Sequence, residues 1–486
     1  MPIHQPEPQG QVRTKIVATL GPASNRPEMI RDLIDAGVDV FRLNFSHGTH
    51  DEHSATLTAI RSVADEAGRM IAVLQDLGGP KLRLGPIPGD AIDCRLGDEF
   101  TLVKESTGTN PRELTCTYAA LVDDLKVGNV VLFADGTVAM EVSAIAPGRA
   151  TLLVSLGGRL GSRQGINLPN SELNVGALTD KDLADLDWTA KHGVDYVGLS
   201  FVRKAADVVR LRDELTRRGC SAKIVAKIEK PQAVDDLDAI IAATDAVMVA
   251  RGDLGVEMDV AKVPAIQKRI IAACHKARVP VITATQMLNS METSSRPTRA
   301  EATDVFNAVL DGTDAVMLSG ETAIGKYPVE AVETMSRIVS EAETFLADGS
   351  RSHHAPRAVT DHPSRVSPIT ETIVEAASLA CRRLNAALLV VATHSGRTAL
   401  AASKSRNNTL TIALAPDAPR ARAMALYWGV TPLISPDMAD VEDALAFAID
   451  WAREREIITS GDILVWIRGM SPDDPTHNGM RVQVIR

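Results

Sequence analysis

Short β-branched runs alternate along the chain with segments whose apolar residues recur at helical spacing. The runs fall at residues 15–21 (KIVATLG), 38–46 (VDVFRLNFS) and 70–77 (MIAVLQDL). After a gap they resume at 194–201 (VDYVGLSF), 223–229 (KIVAKIE), 245–253 (DAVMVARGD), 279–285 (VPVITAT) and 314–320 (DAVMLSG). Amphipathic segments such as RPEMIRDLIDAG, AADVVRLRDELTRRG and VPAIQKRIIAACHKAR lie between them. Strand–helix units in this number predict a closed (β/α)8 TIM barrel; pattern alone leaves a doubly wound sheet open as the alternative.

Residues 85–170 have another texture, with short strand-like runs and DG and PG turn signals at hairpin spacing. They predict a small β domain inserted between the third barrel strand and the helix that follows. Residues 347–366 are polar and proline-containing, which suits a linker, and 367–486 alternate again as a separate α/β domain. The barrel is therefore expected from 1–84 and 171–346.

Composition narrows the classes. A chain of 486 residues with 45% apolar and 23% charged content is an ordinary globular protein of about two to four domains. No apolar run is long enough to span a membrane, and MPIHQPEPQGQVRTK has no apolar signal core, so a cytoplasmic protein without an export signal is expected. Five dispersed cysteines suggest reduced thiols, and a net charge of −10 with 3% aromatics argues against a nucleic-acid surface.

In a TIM barrel the chemistry sits at the C-terminal strand ends. The second strand ends FRLNFS, placing Arg42, Asn44 and Ser46 on one face. The third ends in Asp76, the fifth carries Lys227 and Glu229, and the sixth ends ARGD with Asp253. The seventh offers Thr283 and Thr285; the eighth ends in Ser319, followed by Glu321. Any one of these suits a solvated strand end, but a convergent set of opposite charges calls for a ligand. Lys227 and Glu229 share a strand face, and they need not pair with each other if each is offset by a ligand-side partner. Glu229 and Asp253 suit a hard divalent cation such as magnesium. Lys227 and Arg42 add positive charge beside it, a layout for phosphoryl transfer. Main-chain amides at Gly252 and Asp253 are placed for a carboxylate or phosphate. Neither GxxxxGK[ST] nor GxGxxG occurs, so a nucleotide would not be held by a P-loop or Rossmann turn.

The blocks FRLNFSHGTH, AKIVAKIEKPQAV (222–234), VMVARGDLGVE, TATQMLNSM and AVMLSGETAIGKYPVEAV together resemble the pyruvate kinase family. The likeness covers almost the whole chain, including the inserted and C-terminal domains. It implies phosphoryl transfer from phosphoenolpyruvate to ADP, giving pyruvate and ATP, with Mg2+ or Mn2+ held by Glu229 and Asp253. It further implies that Lys227 and Arg42 meet the phosphoryl group, that Gly252 and Asp253 receive the substrate carboxylate, and that Thr285 lies near the carbon to be protonated. Ser319 and Glu321 would belong to the proton route. Asn44, His47 and Arg83 would contact the nucleotide phosphates, and Asp135 of FADG its metal, although DG is also a plain hairpin turn. The inserted domain, a small β-barrel, would close as a lid, and the enzyme would be a homotetramer.

One segment departs from the family. QDLGGPKLRLG has Leu77, Gly78 and Lys81 where many members have threonine, lysine and glutamate. Family members bind potassium with that threonine together with the positions of Asn44, Ser46 and Asp76. Lys81 resembles the branch that works without potassium, since a tethered ammonium can replace the mobile cation; a solvated hinge lysine is the alternative. In the C-terminal domain ATHSGRTA offers Thr393, Ser395, Gly396, Arg397 and Thr398 as a phosphate cradle for an allosteric effector, or as an ordinary helix N-cap. The last segment, RGMSPDDPTHNGMRV, lacks the family's sugar-bisphosphate loop, favouring a sugar or nucleotide monophosphate. A lyase or aldolase barrel would share the two carboxylates but has no need of Lys227 or a lid. A degenerate, non-catalytic barrel predicts missing ligands, yet Lys227, Glu229, Asp253 and Thr285 are all present.

Overall fold

The structure is a computed structural model that describes residues 12–106, 108–169, 171, 176–347, 366–435, 440–468 and 479–486. Most of the expected linker, with its two histidines, most of the final loop and the first residues of the chain lie outside the described residues.

Eight parallel strands close into a barrel: β1 (Lys15–Leu20), β2 (Val40–Asn44), β3 (Ala72–Asp76), β4 (Tyr196–Leu199), β5 (Lys223–Ile228), β6 (Ala246–Ala250), β7 (Val281–Ala284) and β8 (Ala315–Leu318). They are ordered β1-β8-β7-β6-β5-β4-β3-β2, with β1 also pairing β2, so no edge is left open. This closure removes the doubly wound alternative. Outward-facing residues such as Ile224, Ala226 and Ile228 pack under the helices, while Val17, Leu74, Val225 and Met248 fill the interior.

Several strands are shorter than their apolar patterns. Predicted strand six stops at Ala250, and Arg251–Glu257 is a helix, so Asp253 sits in a first helical turn. Strand eight stops at Leu318, and Glu321 lies in the short helix Gly320–Ala323. Ser46 lies beyond β2 and is exposed. Main-chain groups at these ends turn away from the ladder, which a side-chain pattern does not record.

Between β3 and the helix Asp180–His192 the chain builds the inserted β domain. Six strands curl around a separate core that includes Phe100, Phe133, Met140 and Leu152, in the order 166–167, 130–133, 138–146, 149–156, 99–103, 113–114. A two-stranded ladder, 91–94 with 158–161, completes it. The hinge is tight: Gly79 has φ +61°, and a Cβ there would lie 2.8 Å from the Phe201 ring.

The C-terminal domain holds a five-stranded sheet. Strands β9 (Leu388–Ala392), β10 (Leu410–Ala415), β11 (Val430–Ile434) and β12 (Ile463–Arg468) are parallel, and β13 (Gly479–Val484) runs antiparallel beside β12. This domain caps the N-terminal end of the barrel, where Ala425 and Leu426 join the interior cluster as its floor. Asp195 binds Arg61 of the barrel and Arg422 of the C-terminal domain. Asp314 likewise holds Lys404 and Arg406. Among the described residues no helix is long and apolar enough to cross a membrane, and all five cysteines are free.

Candidate active site

Three barrel strands bring one buried charge cluster together. Asp76 at the end of β3 accepts from Arg42 Nε of β2 at 2.7 Å and lies 3.2 Å from Lys227 Nζ of β5. Lys227 Nζ is also 2.9 Å from Glu229 Oε1 and donates to Ser200 Oγ at 2.7 Å. Lys227 and Glu229, which share a strand face and need not have paired, do pair with each other. A buried ammonium and carboxylate on one strand face offset each other's desolvation cost. Arg42 also donates to Thr19 Oγ1, which fixes it against β1.

The electrostatics follow from this geometry. Burial alone would raise the Asp76 carboxyl, but Lys227 and Arg42 hold it below the usual carboxylate range. Burial would also strip the proton from Lys227; Asp76 and Glu229 instead hold it firmly charged. Burial and then the neighbouring Asp253 push Glu229 up, despite Lys227. Glu229 keeps a second partner, the Phe201 amide, which donates to its other oxygen at 2.7 Å.

A strained rim surrounds the cluster. Thr285 and Gln286, just beyond β7, have φ +66° and +53°, and Phe201, just beyond β4, has φ +56°. Positive φ in such residues is uncommon and marks sites over-determined by their surroundings. The Thr285 hydroxyl accepts from the Gly252 amide at 2.7 Å, so that amide, expected to face a substrate carboxylate, has a protein partner here. Arg251 donates to the Ala284 and Thr285 carbonyls and pairs with Asp304, locking the turn. On the far rim, Glu321 is buried and its carboxylate accepts from the Leu288 and Ser319 amides. Burial raises its pKa, and the Ser319 hydroxyl beside it is buried without a partner. Thr283 turns instead to Thr313 and stays out of this set.

The remaining candidates flank the lid hinge. Asn44 Oδ1 accepts from the Ser46 amide, and Ser46 abuts Gly78. Burial, and then the charges of Arg83, Lys81 and Arg42, lower the pKa of His47. Lys81 is exposed and makes no ion pair with Asp76; its Cε and Asp135 Oδ1 both lie 4.0 Å from the Cβ position at Gly165. Arg83 bridges Gly165 through its backbone, and Asp135, φ +53°, is exposed on the lid turn whose Gly136 approaches Val256. Far away, at the C-terminal end of β9, Thr393 Oγ1 accepts from the Gly396 amide, with Ser395 and Arg397 exposed and Thr398 buried.

Sequence reasoning missed Ser200, Thr19, Phe201 and Arg251. Ser200 carried a usable signal, being the polar residue at the end of VDYVGLSF.

A divalent cation fits the donor set. Asp253 lies close enough to act on the Glu229 carboxyl, and magnesium needs only one or two protein carboxylates. Among the described residues no larger group of metal-ligating side chains occurs.

A closed barrel, an inserted β domain and a buried cluster of two cations and two carboxylates at the strand ends place the chain in the TIM-barrel class, with a site able to meet a charged ligand. Comparison with known proteins refines this. The family described as "Pyruvate kinase, barrel domain" matches residues 11–332, and "Pyruvate kinase, alpha/beta domain" matches 371–483. The chain is 42% identical to Pyruvate kinase 2 of Synechocystis sp. over 94% of its length and 76% of that protein's. It is 38% identical to the pyruvate kinase of Clostridium acetobutylicum, covering 97% of this chain and 99% of the other. A crystal structure of a pyruvate kinase from Cryptosporidium parvum superposes with a TM-score of 0.91 at 35% identity, covering 98% and 97% of the two chains. The chain belongs to the pyruvate kinase family.

Proposed function

We propose that the protein transfers the phosphoryl group of phosphoenolpyruvate to ADP, forming pyruvate and ATP as in glycolysis. The observation that carries this is the buried Arg42–Asp76–Lys227–Glu229 chain at the strand ends of the barrel, beside Asp253. Two fixed cations offset by carboxylates suit a group that arrives and leaves as a charged phosphoryl.

Glu229 and Asp253 would hold Mg2+ or Mn2+, which supplies Lewis-acid neutralisation of substrate oxygens. Lys227 exchanges its Glu229 and Asp76 partners for the phosphoryl oxygens, and Arg42 meets the same group from β2. The amides of Gly252 and Asp253 receive the substrate carboxylate once the Thr285 hydroxyl is displaced from Gly252. That hydroxyl then stands beside the carbon to be protonated, with Ser319 and Glu321 continuing the proton route. Asn44, His47, Arg83 and Asp135 line the nucleotide side, and the lid, residues 85–170, excludes water between the barrel segments 1–84 and 171–346. The C-terminal domain, 367–486, would bind a phosphorylated effector at Thr393, Ser395, Gly396, Arg397 and Thr398. We place the enzyme in the cytoplasm as a homotetramer, which light scattering would test.

Lys81 makes the reaction independent of potassium, its ammonium replacing a cation otherwise held by Asn44, Ser46 and Asp76. The support is positional: Lys81 adds to the positive field at His47, three residues from Asn44. Pyruvate formation in tetramethylammonium buffer with magnesium tests this. Rates within about twofold of those in potassium are expected; a many-fold rise on adding potassium contradicts it.

A further inference from the structure

Glu257 ends the helix Arg251–Glu257, one turn beyond Asp253, so the two carboxylates lie on the same helix face. Its side chain is 1% exposed. Oε1 accepts from Asn167 Nδ2 at 2.9 Å and from Lys230 Nζ, while Oε2 is buried without a partner. Asn167 belongs to the inserted domain, paired opposite Leu132, in the strand by which the chain returns to the barrel. Lys230 follows Glu229 directly, and its ammonium lies 5.8 Å from the centre of the Phe201 ring. Phe201 is the residue whose amide holds Glu229. A second lid contact falls on the same helix, where a Cβ at Gly136 would sit 3.8 Å from Val256. One buried carboxylate thus joins three bodies: the lid, the helix carrying Gly252 and Asp253, and the end of β5.

The sequence offers no local reason for this carboxylate. It does not cap its own helix, and a buried acid with one bare oxygen is costly. Its two bonds reach outward to elements that meet only around the site.

We propose that Glu257 is a positioning residue for phosphoryl transfer, passing the lid's position through Asn167 to the 251–257 helix and through Lys230 to the end of β5. This rests on the function proposed above; neither Glu257 nor Asn167 touches substrate. With the lid strand seated, Asn167 holds Glu257 forward, and the helix presents Gly252 and Asp253 in register with Glu229. Without it, Glu257 is left to Lys230, and the helix relaxes toward β5. Small displacements at such distances are costly to rate. Substrate binding on the barrel and lid closure are thereby linked, although they involve different domains.

The test uses the full-length protein carrying Asn167→Ala, Glu257→Ala, their combination, and Glu257→Gln. Asn167→Ala changes the lid alone, yet kcat/KM for phosphoenolpyruvate should fall about tenfold. The double variant should lose little more than Glu257→Ala, because both cut one link. Glu257→Gln keeps an acceptor for Asn167 and should recover most of the Glu257→Ala loss. Amide hydrogen exchange over 251–257 should quicken in Asn167→Ala, a readout that needs no turnover and no destabilised core. Unchanged exchange over 251–257 in Asn167→Ala, or additive losses in the double variant, overturns the proposal. An inactive parent chain would instead overturn the proposed function, and the exchange measurement would still decide the role of Glu257.

Discussion

Asp76 is the residue on which the site turns. Its two oxygens divide between Arg42 and Lys227, and it is completely buried. Removing its charge strips Arg42 of its carboxylate and leaves Lys227 with the Glu229 carboxylate alone, in a site of low dielectric. Asp76→Asn should therefore cost stability as well as rate, about 3–5 kcal/mol by the usual penalty for breaking a buried pair. Urea unfolding of the variant checks this. The strand-end rule found Arg42, Asp76, Lys227, Glu229 and Asp253 from sequence because each is a charge where an apolar strand stops. It did not find who pairs with whom. Pairing depends on the barrel register, which sets Arg42 opposite Leu74 and Asn44 opposite Asp76. Nothing in a single strand's sequence encodes that register.

At the scale of elements, the apolar alternation gave every barrel strand, and its errors lie at the strand ends. The strand runs expected at 245–253 and 314–320 overran the true ends, for the chain is already helical from Arg251 to Glu257 and from Gly320 to Ala323. RGDLGVE and GETA have no long apolar period, so only their packing against the barrel rim makes them helices. The loop before the helix Arg397–Lys404 shows the converse case. Gly396 is the N-cap and supplies no side-chain cap, while Thr393 Oγ1 accepts from the Gly396 amide and orders the loop ahead of the helix. Function separates cradle from cap. If the loop holds an effector, a sugar or nucleotide monophosphate should raise the rate at subsaturating phosphoenolpyruvate, and Arg397→Ala should abolish that rise. Rates unmoved by either class of effector in the parent would make the loop a cap.

At the scale of the molecule, the C-terminal domain seals the barrel floor through charges that sequence gave no means of matching. Lys404 and Arg406 meet Asp314, and the half-buried His275 lies in their field with its Nδ1 enclosed and unpartnered. Burial, then Lys404 and Arg406, push its pKa down to about 3 from 6.5. The unfolded chain binds a proton below pH 6.5 that the folded chain refuses until about pH 3. Stability therefore falls as pH drops through that window. At pH 5 the loss should be about 2 kcal/mol relative to pH 7. Asp314 acts in the same direction lower down: burial would raise it, but Lys404 and Arg406 hold it below the usual carboxylate range. His275→Asn, which cannot titrate, should show a flatter urea midpoint between pH 7 and 5 than the parent; an equal slope would remove His275 as the cause.

Lys227 ties these scales together, a single residue on β5 whose strand begins at the floor and ends at the lid. The most direct measurement is simultaneous pyruvate and ATP formation from phosphoenolpyruvate and ADP with magnesium, for the parent and for Lys227→Met. The parent should form both products one for one. The variant, folded by circular dichroism, should lose roughly 10²–10³-fold in kcat. A parent that makes neither product, or a Lys227→Met variant that keeps full activity, would contradict the assignment of this strand end as the site of phosphoryl transfer.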